Sequence, residues 1–301
     1  MAGLLRSILR AVLGAGVLSL AIGTAAAQGV RPAGATELQN RYAALRPQLE
    51  KNAYGGPIYI ESAEGSRSSR GDIYAVLNSP FAAVNAALAD PAHWCDVLIL
   101  HLNTKLCRSG TAGGTTQLDL RIGKKFDQPL VDAPSVVFSW RALPQAADFL
   151  NVQLDAQDGP FDTHDYRIML EAVPLDGGRT FLHLGYSFEY GTASHLALHL
   201  YLATIGRSKV GFSTLVARPG AEPELVGGVR GMVERNTMRY YLAIEAYLGA
   251  LSAPPAQQLD KRLQAWFDAT EKFPRQLHEL DRTTYLEMKH REYRRQQAGQ
   301  Q

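Results

Sequence analysis

Three polar side chains, His101, Asn103 and Lys105, alternate along a segment whose composition predicts a β-strand. Alternate residues of a strand point to the same face of a sheet, so the three side chains would form one polar cluster. A cluster of this kind on the wall of an apolar pocket would orient the hydroxyl, carboxylate or phosphate end of an amphipathic molecule. A strand surface that faces solvent has the same pattern, and this alternative stays open.

A second group of polar and aromatic side chains lies on a predicted long amphipathic helix, residues 229–251. Asn236 is the polar residue that we expect to point inward, and burying its amide would be costly without a ligand or a hydrogen-bond partner. Tyr240 and Tyr247 are two turns apart and would line the same cavity, with their hydroxyl groups at its rim. Plain core packing explains the two tyrosines equally well.

Other groupings of reactive residues are less specific. His195 and His199 have the spacing that places two imidazoles on one helix face, but no further ligand set is evident, and we predict no metal. Asp162, His164 and Asp165 form a polar group between two strands, which is typical of a turn. The sequence contains no phosphate-binding glycine loop and no dinucleotide fingerprint, so we predict no cofactor.

The N-terminus has the three regions of a secretory signal peptide. Arg6 and Arg10 precede an apolar stretch at residues 11–23, and three alanines follow at 25–27. The stretch is shorter than the roughly 20 residues that cross a bilayer, so we expect cleavage after Ala27 and a secreted or periplasmic mature chain. An uncleaved N-terminal anchor is the alternative.

The charge balance bears on the partners of the chain. Removing the two signal-peptide arginines from the 31 basic residues leaves 29, equal to the 29 acidic residues. A neutral chain without a basic block predicts no nucleic-acid partner and no steady attraction to an anionic membrane. Transient contact with a membrane or an envelope protein stays open, and the sequence does not indicate an oligomeric state.

Two cysteines, Cys95 and Cys107, are present. In an oxidising exported compartment a pair is more often bonded than free, so we predict a disulfide. Twelve residues of extended strand would hold the two too far apart, so the chain must reverse or kink between them. Two buried, unreactive thiols are the alternative.

Hydrophobic periodicity predicts the elements that position these residues. Residues 36–51 have a helical period, 57–62 and 72–77 read as a hairpin, and short helices are predicted to begin at Ser79-Pro80 and Asp90-Pro91. Residues 192–205 alternate like a strand, although their Ala and Leu content favours a helix, which we predict. The remaining predicted strands are 98–106, 116–126, 135–143, 149–155, 166–173, 180–190 and 210–217.

This succession of elements resembles the helix-grip superfamily of START-related lipid-transfer domains, polyketide-cyclase-like (SRPBCC) proteins and plant allergens. The segments that carry the resemblance are Gly-Asp-Ile-Tyr at 71–74, Ser-Pro-Phe at 79–81, Asp-Pro-Ala-His-Trp-Cys at 90–95, and the helix that begins near Val229. The resemblance implies an α+β fold, in which a curved antiparallel β-sheet wraps around a long C-terminal helix and leaves an internal cavity. It also implies a ligand-binding role, and many members are not enzymes.

We therefore predict five segments. They are a signal peptide (1–27), a leading helical segment (28–54), a START-like helix-grip domain (55–251), a C-terminal helical extension (252–293) and a disordered tail (294–301). The predicted function is binding or transfer of a hydrophobic small molecule or lipid.

Two other functions stay open from the sequence alone. A cavity enzyme of cyclase or hydrolase type would use polar residues among His101, Asn103, Asp119 and His183 as acid or base. An envelope interaction protein would instead use its C-terminal helices, through an apolar stripe at Leu259, Leu263 and Trp266.

Overall fold

The computed structural model describes residues 34–143, 148–192, 209–215 and 224–298. The predicted signal peptide lies outside these residues, and so does the predicted helix at 192–205 apart from Thr192. His195 and His199 also fall outside the described part.

A single antiparallel sheet of eight strands, in the order β1-β2-β8-β7-β6-β5-β4-β3, forms the body of the protein. The predicted strands of the meander coincide with β4 to β8, with ends that differ by at most four residues. The strands are Ile58–Glu64 (β1), Ser68–Leu77 (β2), Thr104–Ala112 (β3), Thr115–Ile122 (β4), Ser135–Ala142 (β5), Leu150–Asp158 (β6), Thr163–Leu175 (β7) and Arg179–Tyr190 (β8).

The helices cover both faces of this sheet and one of its edges. They are Ala35–Glu50 (α1), Phe81–Leu88 (α2), Pro91–Leu98 (α3), Gly228–Ala250 (α4), Pro255–Glu271 (α5), Pro274–Leu277 (α6) and Arg282–Ala298 (α7). Helix α3 begins as predicted, because the Asp90 side chain accepts a hydrogen bond from the Ala92 N–H at 2.8 Å and Pro91 occupies the first turn. The predicted cap at Ser79 is wrong, since Pro80 holds the N-cap position of α2.

Helix α4 crosses the inner face of the sheet and packs against β1, β2, β8 and α3. Its buried side chains, among them Val229, Val233 and Ile244, recur at helical spacing and join the main core. The Cα of Gly71 on β2 faces the Thr237 side chain so closely that an added Cβ would lie 2.6 Å from Thr237 Oγ1. The glycine therefore sets how near the helix approaches the sheet.

Helix α1 covers the outer face of the sheet. Leu38, Leu45 and Leu49 form a second core with Val76 and Phe181 from the strands beneath. Strands β2 and β8 are therefore buried on both faces over most of their length, as their burial patterns show.

The strand predicted at 98–106 is wrong over most of its length. Helix α3 continues to Leu98, a turn follows, and β3 begins only at Thr104. The run from Val97 to Leu100 is buried throughout, and a continuous apolar run has no period that distinguishes a helix from a strand. Consequently His101 and Asn103 lie in the turn, and their side chains do not share a strand face with Lys105.

Two other predictions about the chain's course have a clear outcome. The disulfide is confirmed: Cys95 in α3 is bonded to Cys107 in β3, with their Cα atoms 5.1 Å apart, and the turn provides the required reversal. The strand predicted at 210–217 is reduced, within the described residues, to one isolated bridge between Thr214 and Leu225. No described helix is long and apolar enough to cross a membrane.

The C-terminal helices pack on the sheet domain. Trp266 of α5 donates to the Arg239 carbonyl at 3.1 Å, and Tyr285 of α7 donates to the Leu100 carbonyl at 3.0 Å. The disordered tail predicted from residue 294 is wrong as far as Ala298, because α7 continues to that residue and buries Gln296. Gln296 accepts a hydrogen bond from the Cys107 N–H, a contact between segments 189 residues apart that local composition does not reveal.

Candidate functional site

The inner face of α4 carries a stripe of partly exposed side chains among buried ones. Met232, Asn236 and Tyr240 are spaced four residues apart and therefore lie above one another on the helix. The Tyr240 ring lies 5.6 Å from the ring of Tyr186 on β8, and the Asn236 amide lies near enough to the Tyr186 phenol to oppose the rise that burial causes in its pKa. The stripe therefore faces the sheet and not bulk solvent.

Aromatic side chains from three strands line the sheet opposite this stripe. Tyr186 and Phe188 alternate on β8, so both point inward, and their rings are 5.8 Å apart. The Tyr166 ring of β7 lies 5.5 Å from Phe188 and 6.4 Å from Phe138 of β5. These four residues form the aromatic wall.

The partly exposed stripe and the aromatic wall face each other, and we treat the space that they border as the candidate recess. Tyr240 packs on the rings of His101 and Tyr186, and Tyr166 packs on those of Phe138 and Phe188. Burial raises the pKa of both phenols. Both residues nevertheless keep accessible surface. A side chain that is enclosed and still accessible borders a space, and the residues around this one are predominantly aromatic.

His101 lies behind the stripe. Its ring stacks on Tyr240, with centroids 4.8 Å apart, and its Nδ1 accepts a hydrogen bond from the Asn103 N–H at 3.1 Å. Burial and the neighbouring Arg239 lower the pKa of His101 well below its ordinary value, so the ring is neutral and carries its proton on Nε2. Within the described part of the chain, Nε2 has no hydrogen-bond partner.

Next to His101, three cations surround one carboxylate. Glu279 Oε1 lies 2.6 Å from Lys125, 2.9 Å from Arg239 and 3.7 Å from Lys209. Burial would raise the pKa of Glu279, but the Lys125 and Arg239 charges outweigh it and hold the pKa below its ordinary value. We call these four residues the cationic corner.

The other predicted ligand-binding residues lie elsewhere. Lys105 is buried and forms an ion pair with Glu292 of α7 at 3.0 Å. The Asn103 side chain donates to the Gly123 carbonyl at 2.6 Å. The structure thus brings together His101, Asn236 and Tyr240 of the predicted set, and their role in binding stays a prediction.

Tyr247 is also separated from the recess. Its ring lies 5.8 Å from the ring of His93, and the Arg262 guanidinium lies 4.4 Å from its centroid. It therefore packs between α3 and α5, which corresponds to the core-packing alternative.

A buried polar cluster on the outer face was not predicted. His183 on β8 lies between Asp72, at 2.8 Å, and Glu171, at 3.2 Å, and its ring stacks on Tyr74 at 4.3 Å. Burial alone would lower the pKa of His183, but its hydrogen bonds to the two carboxylates outweigh burial and raise it. Arg70 adds a second cation beside Asp72, at 2.6 Å.

The sheet separates the residues named for the enzyme alternative. His183 alternates with inward-facing leucines and lies on the outer face beneath α1, whereas His101 lies on the inner side. Asp119 likewise alternates with Leu118 and Leu120 of the inner core, and it accepts a hydrogen bond from Ser135. Among the described residues, no contact in the recess joins His101 with His183 or with Asp119.

One further group could hold a metal ion by geometry. Ligand atoms of His164, Asp165 and Glu189 lie within 4.8 Å of one another at the start of β7 and the end of β8. Asp165 is exposed and already forms an ion pair with His164. Exposed groups of this kind are common without a metal, so the cluster is not assigned one.

Comparison with known proteins finds solved structures of low similarity. No protein-family model matches the sequence, and no curated protein matches it. The crystal structure of Ara h 8.0201 is 11% identical, with a TM-score of 0.35 over 64% of this chain and 99% of that one. Human StAR-related lipid transfer protein 5 is 9% identical, with a TM-score of 0.30 over 57% of this chain and 89% of that one.

The Zhui aromatase/cyclase of a Streptomyces species is 14% identical, with a TM-score of 0.33 over 69% of this chain and 94% of that one. The element order and sheet order described above carry the assignment independently of these values. A strand pair, two short helices, an antiparallel meander and a long helix across the inner face are the elements that the sequence resemblance implied. In fold, the chain is an α+β protein of the helix-grip type.

Proposed function

We propose that this chain is an exported protein that binds or transfers a hydrophobic or amphipathic molecule, such as a lipid or a sterol-like compound, in the recess under α4. The observation that carries the proposal is the accessible stripe of Met232, Asn236 and Tyr240, which is enclosed by the aromatic wall. Pockets for small molecules combine apolar walls with a few placed polar groups, and the Asn236 amide and the tyrosine hydroxyls provide these groups.

Burial of apolar surface would drive binding. A ligand that hides about 300 Å² of apolar surface in such a recess gains about 7 kcal/mol, before the cost of association is subtracted. The aromatic wall is held by the sheet, so few side chains lose freedom when the ligand enters.

Acid-base catalysis in the recess is less well supported. His101 is the described histidine whose ring stacks on the stripe, and its lowered pKa makes it a weak base at neutral pH. His183 has two carboxylate partners but lies on the outer face. Binding therefore explains the recess with fewer assumptions.

Native mass spectrometry of the mature protein, purified from its producing cells, tests this proposal. We expect a stoichiometric apolar or amphipathic adduct and a polypeptide that begins at Gln28. A protein that is empty after gentle purification, and that takes up none of a panel of added lipids, would refute the binding function.

A pair of variants would locate the bound molecule. Asn236→Trp fills the recess and is expected to remove the adduct. Lys261→Trp, on an exposed position of α5, adds the same ring without touching the stripe and should keep the adduct. Equal loss in both variants would place the ligand elsewhere.

A further inference from the structure

The cationic corner has more positive charge than its carboxylate balances. Lys125, Arg239 and Lys209 all approach the same oxygen of Glu279, which leaves two positive charges in excess within this group. Lys125 and Arg239 donate hydrogen bonds to this oxygen, whereas Lys209, 3.7 Å away, donates to the His278 carbonyl at 2.6 Å. Holding such an excess in a partly buried site is unfavourable unless an anion joins it.

Two buried donors in the same region also have no partner among the described residues. They are Nε2 of His101, a residue that is 2% exposed, and Nε of Arg239, a residue that is 1% exposed. Buried donors are almost always paired in folded proteins, so two in one region indicate a polar partner that the described residues do not supply. His101 connects them to the recess, because its ring stacks on Tyr240.

Lys125 makes the corner reachable from outside. Its side chain is 34% exposed, and its ammonium group donates one hydrogen bond, to Glu279, within the described structure. An ammonium group has three donors, so Lys125 has capacity for an anion.

We propose that the recess takes an amphipathic molecule with an anionic head, a carboxylate or a phosphate, which Lys125 binds in the cationic corner while the apolar part lies along the aromatic wall. This inference rests on the proposed binding function and adds the class of ligand. Arg239 and His101 stabilise the head from behind, as a buried positive charge and a buried donor.

Calorimetric titration with decanoate and 1-decanol tests the head group, because the two ligands have the same chain length and differ in charge. We expect decanoate to bind the mature protein about tenfold more tightly than decanol, as one charge-assisted hydrogen bond would provide. In Lys125→Gln, and to a lesser degree in Lys209→Gln, this preference should fall towards equality. Lys124→Gln is the matched control: the same charge is removed from the neighbouring exposed lysine, which lies over Phe126, and the preference should persist.

The outcomes separate the two proposals. Equal binding of decanoate and decanol by the unaltered protein would overturn the anionic head but leave the hydrophobic recess intact. Binding of neither ligand would refute the recess itself. Inorganic phosphate alone forms a third titration: if it binds in a Lys125-dependent manner while decanoate does not bind, the corner holds a free anion, and the assignment to a lipid head group is overturned.

Discussion

A buried cluster of charged side chains joins the last helix to the sheet. We expect that replacing a single atom in it lowers the stability of the fold by a large amount. Glu292 of α7 is paired with Lys105 of β3 at 3.0 Å and with Lys289, one turn earlier, at 2.6 Å. All three side chains are at most 1% exposed. Lys289 also donates to the carbonyls of His101 and Thr104, at 2.7 and 2.8 Å.

Glu292→Gln keeps the shape of the side chain and removes the charge between two buried ammonium groups. Loss of one partner of a buried ion pair costs about 3 to 5 kcal/mol. We expect about 3 kcal/mol at pH 7, because burial already lowers the pKa of Lys289 to about 8. At pH 7, an ammonium group with a pKa of about 8 loses its proton at a cost of about 1.4 kcal/mol. Lys289 can therefore become neutral when Glu292 is replaced, which limits the loss of stability.

Urea denaturation of the unaltered protein and of Glu292→Gln measures this loss of stability. The folded form of Glu292→Gln binds fewer protons than its unfolded form, so its stability should recover as the pH rises above 7, and the deficit should shrink. Glu287→Gln, on the exposed side of the same helix, should change stability by no more than about 0.5 kcal/mol. A loss below about 1 kcal/mol, or one independent of pH, would show that water reaches the cluster and that the reasoning is wrong.

Three further predictions concern other parts of the fold. Replacing Cys95 and Cys107 together by alanine should lower the free energy of unfolding by about 2 to 4 kcal/mol, measured by denaturation against the oxidised protein, and an unchanged value would contradict a stabilising crosslink. The raised pKa of His183 stabilises the fold below pH about 6.5, and this contribution is lost as the pH rises through the folded-state pKa. The melting temperature should therefore depend on pH less in His183→Gln, and identical pH profiles would refute this. Gly71→Ala should cost about 1 to 3 kcal/mol by pushing α4 from the sheet, whereas Gly110→Ala, with open space around it, should not, and equal melting temperatures would exclude the close approach.

The fold was predictable where a strand has one buried face or a helix has one apolar stripe. Strand β5 alternates buried Val136 and Phe138 with exposed Val137, and its limits were predicted within one residue. The segment around Leu98 failed because it is buried on all sides, and such a segment has no period.

The site was predictable in part, for a different reason. Asn236 and Tyr240 could be placed from the helical repeat alone. Lys105 could not, because its partner Glu292 is 187 residues away and only the folded chain joins them. The outer-face cluster had a signal that was available: Asp72, His183 and Glu171 each adjoin an apolar run of their strand, and polar residues in such runs need partners when the strand is buried on both faces.

The contact between Gln296 and the Cys107 N–H has a consequence for self-association. Strand β3 is the last strand of the sheet in the described part of the chain, and there its outward N–H and C=O groups have no neighbouring strand to pair with. An open strand edge of this kind is a template for pairing with another chain. Helix α7 occupies that edge at its buried half, Thr104 to Cys107. The C-terminal helix therefore protects this edge against edge-to-edge aggregation, and loss of the helix by proteolysis would expose the edge to pairing between molecules.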